Sequence, residues 1–195
     1  MVKYLDFEAE CGPSSLPRIG GGACLPVTCE WPKDGNGKPM MHLLALPANM
    51  VNDSSGCRLP ENYCVSVFIP YRKNSIEHVI ELARKPDAAC IIAHEVSTKI
   101  RQECESPLLP PHEIKIDSDE EADEEDEFSD EIESKIGGGP VWLQDRIDAP
   151  GCQFLLQLVG SAFNQYWPSH KGIFMGGICY FFIRDDCDYS QSSFG

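Results

Sequence analysis

Arg18-Ile19-Gly20-Gly21-Gly22 and Lys135-Ile136-Gly137-Gly138-Gly139-Pro140 put the same string, a basic residue, an isoleucine and a glycine run, into both halves of the chain. An aromatic residue and then an apolar run follow each. The first half has Trp31, then Met40-Met41-His42-Leu43-Leu44-Ala45-Leu46; the second has Trp142, then Cys152-Gln153-Phe154-Leu155-Leu156-Gln157-Leu158. A third block closes each half, Val65-Ser66-Val67-Phe68-Ile69 and Cys179-Tyr180-Phe181-Phe182-Ile183. The matched blocks are offset by 117, 112 and 114 residues, so order and spacing both hold. Such self-similarity is the mark of a duplicated unit, and short apolar runs bounded by glycine turns read as buried strands. The expected fold is α+β and mostly β. It is one domain over residues 1–195, built from two duplicated antiparallel sheet units at 16–71 and 134–186. A helix and an acidic loop, residues 72–133, lie between them.

The connecting region carries the one clear helical pattern. Asn74-Ser75 can cap a helix over residues 76–85, its apolar residues Ile76, Val79, Ile80 and Ala83 form a stripe, and Pro86 ends it. Ala89-Cys90-Ile91-Ile92-Ala93 reads as a short buried strand. Asp34-Gly35-Asn36-Gly37 and Asn52-Asp53-Ser54-Ser55-Gly56 are turns.

At 195 residues and 42% hydrophobic content the chain is long and apolar enough for a real core. No apolar run approaches the roughly 18 residues of a membrane span. Residues 1–8 show no basic stretch leading into an apolar one, so no signal peptide is visible and a cytoplasmic setting is expected. Ten cysteines without an export signal then read as reduced, structural thiols, with no disulfide. None is spaced C-x-x-C, so no zinc site is expected.

The formal charge of −15 is concentrated in one place. Residues 117–133 hold twelve acids and no base, which leaves about −3 for the rest of the chain. A block this dense repels itself and reads as a solvated, flexible linker between the halves. It also reads as an electrostatic arm for a basic protein, with Asp119, Glu120, Glu121, Asp123, Glu124, Glu125, Asp126 and Glu127 as the partner-binding residues. Nucleic acid is disfavoured, since phosphates would be repelled. Asp117-x-Asp119-x-Glu121 begins like a calcium loop, but Ala122 stands where the sharp turn needs glycine.

Catalytic patterns are absent. Gly22 is followed by Ala23-Cys24 and Gly139 by Pro140-Val141, whereas a Walker loop needs lysine and a hydroxyl there. Strand-entry turns explain the glycine runs better. His42, His78, His94, His112 and His170 are scattered, with no H-E-x-x-H among them and no serine in G-x-S-x-G. His42, inside an apolar strand, reads as a hydrogen-bonded core residue. No catalytic, cofactor or metal residue is assigned, and a non-enzyme is expected.

Ile19-Gly20-Gly21-Gly22, Leu25-Pro26, Trp31-Pro32, Gly37-Lys38-Pro39 and Leu43-Leu44-Ala45-Leu46 resemble the opening of the bacterial YwqG-like family. Lys135-Ile136-Gly137-Gly138, Pro140-Val141-Trp142-Leu143-Gln144 and Phe154-Leu155-Leu156-Gln157-Leu158 resemble its closing block. The second set is also similar to blocks of the programmed-cell-death-2 proteins. The chain departs from the first family at Ala23, where proline is usual, and by its acidic insert; it lacks the zinc-knuckle cysteines of the second. The first resemblance implies an immunity protein that neutralises a cognate secreted toxin by binding and occluding it. The second implies an escort for a basic ribosomal protein. An enzyme or small-ligand protein with a cleft between the half-sheets is the alternative.

Overall fold

Gly20 and Gly137 occupy the same place in two copies of one local structure. The Gly20 N–H donates to the Leu43 carbonyl at 2.7 Å, and the Gly137 N–H to the Leu155 carbonyl at 2.8 Å. In each copy two successive glycines take positive φ, 78° and 68° at Gly20 and Gly21, 77° and 66° at Gly137 and Gly138. That left-handed backbone is open to glycine and strained for other residues. The computed structural model describes residues 2–85, 87–120, 132–143 and 146–184.

In chain order the elements are β1 (Val2–Asp6), β2 (Arg18–Ile19), β3 (Met41–Pro47), α1 (Ala48–Ser54), β4 (Tyr63–Ile69), α2 (Glu77–Arg84) and β5 (Cys90–Glu95). They continue with β6 (His112–Glu113), β7 (Lys115–Glu120), β8 (Lys135–Ile136), β9 (Cys152–Val159), α3 (Gly160–Tyr166), a 3-10 turn (Pro168–His170) and β10 (Ile178–Arg184). The strands make two five-stranded sheets in the orders β5-β4-β3-β2-β6 and β10-β9-β8-β1-β7. Every pairing is antiparallel. The fold is therefore mostly β, as the sequence pattern predicts.

The segment β2-β3-α1-β4 matches β8-β9-α3-β10 down to the register. Ile19 faces Leu44, which faces Val67; Ile136 faces Leu156, which faces Phe181. Each central strand also carries a register shift, between His42 and Leu44 in one sheet and opposite Phe181/Phe182 in the other. The residues skipped by the ladders are Leu43 and Leu155, the two whose carbonyls take the glycine N–H. A bulge frees a carbonyl from regular pairing, and the glycine turn fills it.

The faces of the sheets follow from this register. The row Ile19, Leu44, Val67, Ile91 and the row Ile136, Leu156, Phe181 enter one shared hydrophobic core with Phe7, Phe163 and Trp167. The adjacent rows point away from that core and begin with a buried base in each unit: Arg18, Ala45, Ser66 in one sheet, Lys135, Gln157, Tyr180 in the other. Loops cover these outer rows. Over the first sheet, Trp31, Leu25 and Met40 pack on Phe68 and Ile92 as a second, smaller core.

Two sequence expectations need correction, and two short helices were not anticipated. The helix is present, and the Ser75 hydroxyl accepts the Glu77 N–H at 3.1 Å, but its apolar stripe does not enter the core. Ile76 and Ile80 are 56% and 41% exposed, and the one buried residue of α2 is His78. The short helices α1 and α3, which follow β3 and β9 directly, have no capping side chain to announce them. Residues 117–120 of the acidic run are strand, because β1 supplies a partner for their backbone while the exposed side chain of Asp117 points to water.

An added methyl at Gly20 would lie 2.6 Å from the Leu109 and Pro110 carbonyl oxygens, whereas at Gly37, also at positive φ, nothing lies within 4 Å. Gly20→Ala is therefore expected to destabilise by roughly 2–4 kcal/mol and Gly37→Ala by about 1 kcal/mol. Urea unfolding of both variants checks this; equal losses would show that the glycine turn is not a tight packing point.

Candidate functional site

The acidic segment is joined to the fold at both of its described ends, and both ends lie beside β1. On one side β7 runs antiparallel to β1, with Asp119 opposite Lys3 and Glu120 opposite Val2. On the other side β8 pairs with β1, Ile136 opposite Lys3 and Lys135 opposite Tyr4. β7 is the edge strand of its sheet, and Lys115 to Ser118 are exposed. Of the eight acids predicted to bind a partner, Asp119 and Glu120 belong to this strand. Glu121, Asp123, Glu124, Glu125, Asp126 and Glu127 lie outside the described residues. Lys3 reaches across to Asp53 at 3.1 Å, which keeps one base of this region occupied.

A cavity of about 250 Å³ opens near the same strands, lined by Asp6, Phe7, Glu133, Ser134, Gln165 and Tyr166 among others. Desolvation raises the Tyr166 hydroxyl above its ordinary value, and the carboxylates of Asp6 and Glu8 add to it.

A second, apolar groove of about 420 Å³ lies where the first half meets the second. Val79 and Leu82 of α2 form one wall, and Trp142, Leu143, Phe174 and Tyr180 belong to the other side. The half-buried face of α2 lines this groove, and its Leu82 also packs against the core. Leu143 and Ile147 at the groove are 55% and 48% exposed.

Of the thiols, Cys179 lines the apolar groove, while the histidines are held inside the fold. All five histidines are buried. The His42 Nδ1–H donates to the Gly21 carbonyl at 3.1 Å; burial first and the neighbouring Arg18 charge second push its pKa down to about 3. Arg18 itself is fully buried, its guanidinium donating to the carbonyls of Ser15 and Gly22 and lying 3.8 Å from the Cys24 sulfur. His94 has the outline of a nucleophile–base pair: its Nδ1–H donates to the Glu95 carbonyl at 2.8 Å, and the Ser66 hydroxyl donates to Nε2 at 2.9 Å. Ser66 is 0% and His94 3% exposed, so the pair serves the core and meets no solvent-borne substrate. Burial raises the thiols of Cys64 and Cys179 to about 12 and that of Cys90 to about 11, the reverse of what a nucleophilic thiolate needs.

Among the described residues no three His, Cys, Asp or Glu side chains are grouped to hold a metal. No helix among them is long and apolar enough to cross a membrane. The expectation of reduced thiols fails at one position, because Cys57 is disulfide-bonded, while the eight other described cysteines are free. Its sequence neighbourhood gave no spacing signal, since the pairing of cysteines depends on which loops the fold brings together.

The acidic edge was legible as a charge run. A cleft between the half-sheets was expected only as an alternative; the apolar groove instead has residues 79–89 as one wall and residues 142–143, 147 and 174–181 as the other, which only the tertiary fold brings together. No family model matches the chain, and no curated protein matches it in sequence.

Thiol titration of the native protein at pH 8 should leave Cys64, Cys90 and Cys179 unreacted over the time in which exposed model thiols react fully. Denaturation should release all three, and a reductant should raise the total further. Fast native labelling of Cys64 or Cys179, mapped by peptide mass, would contradict the burial that raises their pKa.

Proposed function

We propose that the chain is a non-enzymatic cytoplasmic binding protein whose partner is a basic protein, most concretely a cognate secreted toxin that it neutralises by occlusion. The observation that carries this reading is the acidic run's entry into the fold as edge strand β7, whose backbone is paired with β1 as far as residue 120. Fixed like charges at one edge create a local field that a basic surface finds at long range, while a shape-matched centre holds the complex. Muted thiols and buried histidines favour binding over catalysis. The toxin class rests on the resemblance of the glycine-turn and Trp-Pro blocks to the YwqG-like family; an escort role for a basic ribosomal protein would use the same charge.

A second reading draws on the apolar groove. Its volume of about 420 Å³ falls in the range of small-ligand sites, and its lining is largely apolar and aromatic, as such sites are. This would make the groove, rather than the acidic edge, the point of recognition.

The steering role gives a kinetic test. Converting Glu120, Glu121, Glu124 and Glu125 to glutamine should slow association with the product of the adjacent gene several-fold at low salt. Dissociation should change little, and the difference should shrink as salt rises. Equal association rates before and after the change would leave the run as a connector only. A neighbour that does not bind at all removes the immunity reading.

A further inference from the structure

His78 is the only buried residue of α2, and its contacts reach into the other half of the chain. Its Nε2–H donates to the Ile173 carbonyl at 3.1 Å, so Nδ1 carries the lone pair, and that atom is buried without a hydrogen-bond partner. The Tyr71 ring stands edge-on to His78 at 4.9 Å and lies 5.5 Å from the His170 ring. The Tyr71 hydroxyl is 3.1 Å from His170 Nδ1, and the Leu108 carbonyl also acts on that ring. Burial disfavours the charged form of both imidazoles.

We propose that His78 is an acid-released latch: its protonation, supported by that of His170 across Tyr71, frees α2 from the turn at residues 168–176 and opens the apolar groove that α2 walls. A protonated His78 would place a new N–H donor at Nδ1, where no acceptor stands, and a charge in a site that is 1% exposed. The charged groups acting on the rings from the neighbouring segment make this worse. Arg72 acts on His78 and Lys73 on His170, both cationic. The carboxylate near Arg72 is Asp34, which pairs with it directly. Cys104, which acts on Tyr71, is a thiol held neutral by burial. On α2 itself, Glu81 is paired with Lys85 at 3.1 Å, and Glu77 lies exposed in the first turn.

The direction of the pH effect follows from linkage. Burial first lowers the pKa of each ring, with Arg72 adding at His78 and Lys73 at His170, against backbone carbonyls that raise it. A histidine whose folded value lies below its unfolded value of about 6.5 contributes its full stability above that value. The contribution is lost as pH falls from about 6.5 toward the lowered value. Each histidine protonated only on opening shifts the opening constant by up to about tenfold per pH unit in that window.

Amide hydrogen exchange read by mass spectrometry at pH 7.5 and 5.0, corrected for intrinsic chemistry, tests the latch without any partner. Residues 77–84 should lose protection by at least tenfold on acidification, while residues 63–69 of β4 lose clearly less. His78→Gln, whose amide can still donate to the Ile173 carbonyl and carries no charge, should flatten the pH dependence of α2 by up to about tenfold per unit. Unchanged protection of α2 in acid, loss in step with β4, or the same pH dependence in the variant would each overturn the proposal. Should the variant fail to fold, an NMR titration of the wild-type imidazoles decides. A His78 ring that protonates only as α2 amides open supports the latch, and one that protonates with α2 still protected overturns it.

Discussion

Everything in the two sheets hangs on a single repeated bond, the N–H of a left-handed glycine donated to the carbonyl of a bulged leucine, Gly20 to Leu43 and Gly137 to Leu155. The bulge and the turn are mutually dependent. Without the skipped residue the carbonyl would be committed to the neighbouring strand, and without positive φ the glycine N–H would not meet it. The bond also sets which side chains face inward. A one-residue slip at Ile19 or Ile136 would turn that residue out of the shared core and bring Arg18 or Lys135 into it.

The buried bases are a consequence of the same register. Arg18 and Lys135 start the outer rows because the isoleucines after them must start the inner ones. Arg18 is kept dry beneath the loop at residues 20–40; its two terminal nitrogens donate to the carbonyls of Ser15 and Gly22, while its Nε is buried without a partner. Its positive charge adds to the burial of His42 and holds that ring neutral. In the other sheet Gln157 stands in the row beside Lys135, donating to the Glu133 carbonyl at 2.7 Å and accepting the Val141 N–H at 2.9 Å. Duplication has thus kept the geometry of the strands while the polar chemistry of the outer faces diverged.

The surfaces available for recognition arise where the duplication is broken. β7 has no counterpart at the matching edge of the first sheet beyond β6, and it is where the acidic run enters. α2 belongs to neither copy of the repeated unit. Lacking a continuous apolar face toward the core, it is tied by His78 and Leu82, and its half-buried side chains wall the groove. A helix attached through few buried contacts sits at the low-stability end of a structure, which suits an element that moves.

The sequence by itself determined the repeated sheet unit, because glycine runs, apolar blocks and their spacing are local signals that survive duplication. It also located β3, β4, β5, β9 and β10, the helix near residues 76–85 and the position of the charge, but not β1, β6 or β7. What it could not decide were features that depend on neighbours far along the chain. The acids at residues 117–120 look like solvated tether until β1, over a hundred residues earlier, supplies the strand that pairs with them. The stripe of Ile76 and Ile80 looks like a core face until the packing of Tyr71, His170 and Ile173 selects His78 instead. Cysteine pairing and the apolar groove were likewise settled by tertiary structure, since disulfide geometry and concave surfaces are made by loops that sequence spacing does not bring together.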